Sequence, residues 1–153
     1  MNIVILDLNQ RLNAQYYCDK HVVKQITEFN QLLSSVYYFT GYIPATAYKL
    51  YGKNHPCAKW TRESLANWLW LRDMTLELCK EYTYRYGKIH KGESVCKSLP
   101  LPYIKDIGFT PFVQVMPEQY RDKDVVTAYR KYYNRDKRKL FQWTKRDKPD
   151  WVI

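Results

Sequence analysis

Acidic side chains are scarce in this chain: 15 Asp and Glu stand against 25 Lys and Arg, for a net charge of +10. Such an imbalance leaves polyanions, nucleic acid first among them, as the natural partner, because their binding is driven by counterion release. Long apolar runs are missing too. The nearest, SLANWLWLRDM, is cut by Asn67 and Arg72, well short of the roughly 20 residues that a membrane helix needs. No strongly amphipathic basic helix with an exposed apolar face offers itself to a membrane surface. The four cysteines, Cys18, Cys57, Cys79 and Cys96, lie far apart with no CxxC pair, and the start carries no secretory h-region. They read as reduced thiols in a cytoplasmic protein. There is no GxxxxGK[ST], GxGxxG or GxSxG, so phosphate-loop, dinucleotide and serine-hydrolase chemistry lack their sequence marks. His21, His55 and His90 are spaced by 34 and 35 residues, which matches no zinc or HExxH pattern; no metal and no cofactor is expected.

What is present is helical periodicity, and it predicts a mainly α protein: one compact domain over 1–153, built on two long central helices, with a short strand or extended arm at Met1–Leu8. The first helix is expected over Cys18–Gly41. There Val22, Ile26, Phe29, Leu33 and Val36 share one face, and His21, Lys24, Glu28, Gln31 and Ser35 form a polar stripe nearly opposite. That stripe is either a solvated face with a Lys24–Glu28 pair or the wall of an active site. The second and longest helix is expected from Pro56, with Asn54 or His55 as cap, to an exit at Gly87. On it Glu81 and Arg85 are expected to pair at the surface. Asn9 should cap a short helix through Tyr17, Gly92–Leu99 should form another, and Asp124 should cap a third that continues brokenly to Phe141. Tyr42–Asn54 reads as a loop, and the Pro-rich stretch to Tyr120 as irregular chain with one short strand.

Charge is concentrated near the C-terminus. Between Arg121 and Lys148 eleven lysines and arginines stand against four aspartates, which is +7 of the chain's +10. Aromatics interleave with them in a chain holding 15 Tyr and 5 Trp, a combination that can neutralise phosphates and stack bases. The bland alternative is a solvated basic helix with its tyrosines turned inward. Within the basic aromatic segment 121–153, the candidate nucleic-acid contacts are Arg130, Lys131, Arg135, Lys137, Arg138, Trp143 and Lys145, joined by His55, Arg85 and His90 elsewhere.

The helix with its mid-helix Glu28, the long helix following a histidine (HPCAKWTRESLANWLWLRDMTLELCKE) and the tail FQWTKRDK together resemble the phage-type pyrimidine dimer DNA glycosylases of the endonuclease V class. CDKHVVK, NHPCAKW and EYTYRYGKIHK also look like strings of small uncharacterised phage and archaeal proteins. The glycosylase resemblance implies a compact helical monomer, in the bacterial host cytoplasm if phage-encoded. It would flip a nucleotide and cut the glycosidic bond with an amine nucleophile, a carboxylate and no cofactor. Glu28 fits the carboxylate, with His21 and Lys24 beside it. The family's nucleophile is the α-amine exposed when Met is removed before a small residue, whereas here Asn2 follows Met1 and normally retains it. The Met1 amine, Lys20 or Lys24 stand as alternatives, as does the absence of this chemistry. Beside the base-excision reading, a noncatalytic nucleic-acid-binding protein and an enzyme acting on nucleotides stay open.

Overall fold

The computed structural model describes residues 1–153 and contains six α-helices and no strand. They are α1 (Gln10–Tyr16), α2 (Asp19–Ser35), α3 (Pro56–Glu63), α4 (Leu65–Tyr86), α5 (Lys91–Ser98) and α6 (Val125–Asp136), with single 3₁₀ turns at Val36–Phe39, Glu118–Tyr120 and Arg138–Leu140. Local chemistry sets most boundaries. The Asn9 side chain accepts from Leu12 N–H, His55 from Cys57 N–H, His90 from Gly92 N–H and Asp124 from Thr127 N–H, each satisfying a donor that the first helical turn leaves free. Gly87 closes α4 at φ +63°, a conformation that favours glycine.

α2 and α4 pack along each other, and α4 also touches α1, α3 and α5. Val22, Ile26, Phe29, Leu33 and Val36 are fully buried against Trp68, Leu71, Met74 and Leu78 of α4. At roughly 1.5–3 kcal/mol for each fully buried large apolar side chain, this seam is a main source of stability. The Trp68 indole N–H donates to the Leu33 carbonyl at 3.2 Å, so the seam's largest side chain also has its polar atom satisfied. No helix is long and apolar enough to cross a membrane.

Several sequence expectations change: α2 ends at Ser35 with only a 3₁₀ turn to Phe39, short of Gly41, and no strand forms in the stretch before Tyr120. The second long helix is not continuous: Ser64 is extended (φ −150°, ψ 146°) and separates α3 from α4. The irregular chain after α5 is stitched into the break, with Leu65 N–H donating to Lys105 O at 2.9 Å and Ile107 N–H to Ser64 Oγ at 3.1 Å. The N-terminal segment takes the arm form. Ile3, Val4, Ile5 and Leu6 are buried, and side chains satisfy the backbone that a neighbouring strand would otherwise pair. Tyr17 OH donates to Val4 O (2.7 Å), Arg130 Nε to Leu6 O (2.8 Å), and Leu6 N–H to Asn13 Oδ1 (2.7 Å).

Candidate active site

The buried arm delivers its first residue onto α2. The Met1 α-amine lies 3.3 Å from Glu28 Oε2, while Lys24 Nζ lies 3.0 Å from Glu28 Oε1, so two amines share one carboxylate. Their settings differ: the Met1 and Glu28 side chains are 3% and 13% exposed, the Lys24 side chain 67%. Gln25, with its amide nitrogen turned towards the surrounding acceptors, donates to Glu28 Oε2 and to the Asn2 carbonyl, both at 3.1 Å. Asn2 is clamped in turn, donating through Nδ2 to Val115 O at 2.7 Å and accepting from Tyr129 OH at 2.8 Å. The terminal amine is therefore fixed by its neighbour in sequence as well as by its ion pair.

The turn before α3 covers the other side. A Cβ built on Gly52 would stand 3.0 Å from Met1 Sδ and 3.6 Å from His55 Cβ, so this backbone rests directly on Met1. His55 is lowered from its ordinary value by burial first and then by the positive charge of the Met1 amine, with Glu28 opposing. Its Nδ1 accepts the α3 cap bond at 3.1 Å, so in the neutral ring the proton sits on Nε2.

His21 belongs to the stripe but is not on a solvated face. It is 8% exposed, and its Nδ1 lies 2.7 Å from Tyr133 OH of α6. Burial, helped by Lys137 and Lys24, pushes His21 down to about 4, with Glu28 opposing. The His21–Tyr133 bond joins the polar stripe of α2 to α6. A base held neutral in the fold contributes fully above its unfolded value, and the contribution is lost as pH falls through the folded one. The window here runs from 6.5 down to about 4. Urea unfolding across that window is expected to show a loss on the order of 2 kcal/mol that His21→Gln largely removes; equal pH slopes in both proteins would contradict it.

The other expected contacts separate into committed and free groups. Arg85 is 0% exposed at its side chain and bonds Glu81 Oε1 (2.8 Å), Asp19 Oδ1 (2.9 Å) and Gln15 O (2.9 Å). The Glu81–Arg85 pair is thus buried rather than superficial, and it leaves no guanidinium edge for a phosphate. His90 caps α5 through a 2.9 Å bond, and Trp143 Nε1 donates to Tyr16 O at 3.0 Å. Arg130 holds Leu6 O and lies 5.1 Å over the Trp151 ring, and Lys131 pairs with Asp122 at 2.7 Å. Arg135, Arg138 and Lys145 are exposed, and Lys137 is half-buried over Tyr132. None of these four makes an ion pair within 4.0 Å. No cluster of three or more His, Cys, Asp and Glu converges to hold a metal. Gln25, Asn2 and Tyr129 were not among the expected site residues. Gln25 was within reach, lying one turn from both His21 and Glu28 in the same stripe.

A terminal amine held beside a partly enclosed carboxylate is a pair that can exchange a proton. The family described as pyrimidine dimer DNA glycosylase matches residues 1–93. The chain belongs to that family. The matched stretch runs from the terminal amine through Glu28, His55 and α4 into α5. DNA is accordingly the partner, and glycosylase the class of the protein. No curated protein and no solved structure matches the chain.

Proposed function

We propose that this chain excises damaged pyrimidines from duplex DNA and then nicks the strand, with the Met1 α-amine as nucleophile and Glu28 as the proton acceptor beside it. The observation that carries this is the 3.3 Å approach of the amine to Glu28 Oε2, with the amine held through Asn2. The ammonium passes a proton to Glu28, and the freed lone pair attacks C1′ of the damaged nucleotide. The C1′–N bond breaks with its electron pair leaving on the pyrimidine, which takes up a proton. Loss of the second amine proton, protonation of the sugar ring oxygen and opening of the ring give a protonated Schiff base. Removal of a C2′ proton by a carboxylate then expels the 3′ phosphate. Lys24 neutralises the other oxygen of Glu28, and His21 and His55 wall the site. Exposed Arg135, Arg138 and Lys145, with half-buried Lys137, grip backbone phosphates, a contribution that should fall steeply with salt.

Incubation with ultraviolet-irradiated duplex and borohydride is expected to give a covalent adduct that peptide mapping assigns to Met1. Chemical acetylation of the α-amine should abolish it, and Lys24→Gln should preserve it. An adduct on Lys24 would transfer the nucleophile to that side chain. No adduct and no cleavage across a panel of lesions would overturn the reading in favour of noncatalytic binding.

A further inference from the structure

Two amines approach Glu28, and distance does not choose between them. Lys24 Nζ lies 3.0 Å from Oε1 and the Met1 amine 3.3 Å from Oε2. The lysine reaches its oxygen on a solvated four-carbon stem, whereas the other amine ends a chain terminus, a place that frays unless it is tied down. What ties it down therefore bears on the chemistry. The bonds from Asn2 Nδ2 to Val115 O and from Tyr129 OH to Asn2 Oδ1 hold the side chain of Asn2. A side-chain hold alone lets the main chain pivot about that residue.

The second hold comes from α2. Gln25 is buried and stands three residues before Glu28, a spacing that makes the two side chains neighbours on one helical face. An amide nitrogen carries two hydrogens, and Gln25 uses both: one reaches Glu28 Oε2 and the other the Asn2 carbonyl, each at 3.1 Å. One nitrogen thus touches the carboxylate oxygen that faces the Met1 amine and the main chain of the residue that follows Met1. Both of its partners are acceptors, so the arrangement needs a donor at this point and not merely a side chain of that volume.

We propose that Gln25 is a positioning residue for the reacting pair: its NH₂ fixes the main chain at Asn2 with one hydrogen and Glu28 Oε2 with the other, and so sets how the Met1 amine meets the carboxylate. Lys24 has no such tie and serves as the mobile charge partner of Oε1. The inference rests on the base-excision reading above for the reaction it serves, and it acts through Met1 and Glu28 without touching the substrate.

The test compares single-turnover borohydride trapping by the wild type, Gln25→Met and Gln25→Glu at saturating DNA. One duplex carries a cyclobutane dimer, the other an abasic site, whose aldehyde takes an amine without base removal. Gln25→Met keeps the length and loses both donors, and it is expected to be about 10- to 100-fold slower on either duplex, because a misplacement of about 1 Å costs on the order of 100-fold. Gln25→Glu keeps the shape but turns only acceptors towards Glu28 and Asn2, and should be slower again. Both variants should bind the duplexes within about threefold of the wild type. A space-filling role gives the reverse order, since Glu has nearly the shape of Gln. That order, a Gln25→Met rate within threefold of the wild type, or loss of the folded state in both variants by circular dichroism would overturn the proposal. If the wild type traps neither substrate, the excision reading fails by itself, and the hold is read without DNA from the ¹⁵N order parameter of the Asn2 amide. A wild-type value of about 0.85, that of rigid backbone, falling in Gln25→Met and further in Gln25→Glu supports the hold; equal values in the three proteins overturn it.

Discussion

Glu28→Gln is expected to slow adduct formation on dimer-containing duplex roughly a thousandfold, within the range that a positioned proton acceptor supplies, while leaving the protein folded. The amide keeps the size of the side chain and one oxygen that the Met1 amine can approach, but it cannot take up a proton. Its NH₂ also brings a donor to a place where Gln25 and Lys24 already donate or carry positive charge. The stability cost should be small by comparison. Lys24 is mostly solvated, and exposed pairs contribute at most about 1 kcal/mol; the more enclosed Met1 contact adds a similar amount. A large kinetic loss with a nearly unchanged melting temperature therefore separates chemistry from folding. Single-turnover trapping beside thermal unfolding measures both, and a Glu28→Gln rate within a few-fold of the wild type would remove the carboxylate from the reaction.

Arg85→Ala should do the opposite, damaging the fold before any chemistry. Glu81 is 4% exposed, and Arg85 holds its Oε1 while Arg146 approaches Oε2 at 3.0 Å. The Arg85 guanidinium also reaches Asp19 at the start of α2, which accepts from the Thr144 backbone at 3.0 Å and from its hydroxyl at 2.7 Å. Removing the central cation leaves Glu81 to Arg146 and Asp19 to Thr144 in a poorly solvated place, at a cost of about 3 kcal/mol. For a chain of this size that corresponds to a fall in melting temperature of about 10 °C or more. Urea unfolding checks it, and a loss below about 1 kcal/mol would show that water enters and solvates the carboxylates. The same network gives a pH signature. Burial would raise Asp19, but the Thr144 backbone, the Thr144 hydroxyl and Arg85 together outweigh it and hold the carboxyl below its ordinary value of 3.8. Its contribution is therefore present above that value and lost as pH falls through the lowered folded one. Arg85→Ala should flatten that acid limb.

Helix ends were legible in the sequence because their causes are local. Asn9, His55, Asp124 and Gly87 each act on residues within a few positions. The same holds for the α2 core stripe, where a 3.6-residue period fixes the face. The break at Ser64 was not legible, because no proline or glycine marks it and its cause lies about 40 residues on, at Lys105 and Ile107. Arg85 and His21 failed for a related reason. A charged or titratable side chain on a helix reads as solvated until something covers it, and the covers come from afar: Thr144 and Arg146 close over the Arg85 network, Tyr133 over His21. Glu28 was identifiable as a carboxylate of interest, but Gln25 and Asn2 gained meaning only once the arm lay across α2.

The clamp on Asn2 also has a consequence for the order of events during synthesis. Its partners, Val115 and Tyr129, lie 113 and 127 residues further along the chain. Asn2 is thus held by residues made more than a hundred positions later, and contacts of such long sequence separation form slowly. α2 and α4 can pair on a nascent chain long before the terminal amine is fixed over Glu28. The hold on the Asn2 side chain is complete only when the C-terminal third has folded back onto the arm, and truncation before Val115 would leave Met1 and Asn2 to Glu28 and Gln25 alone.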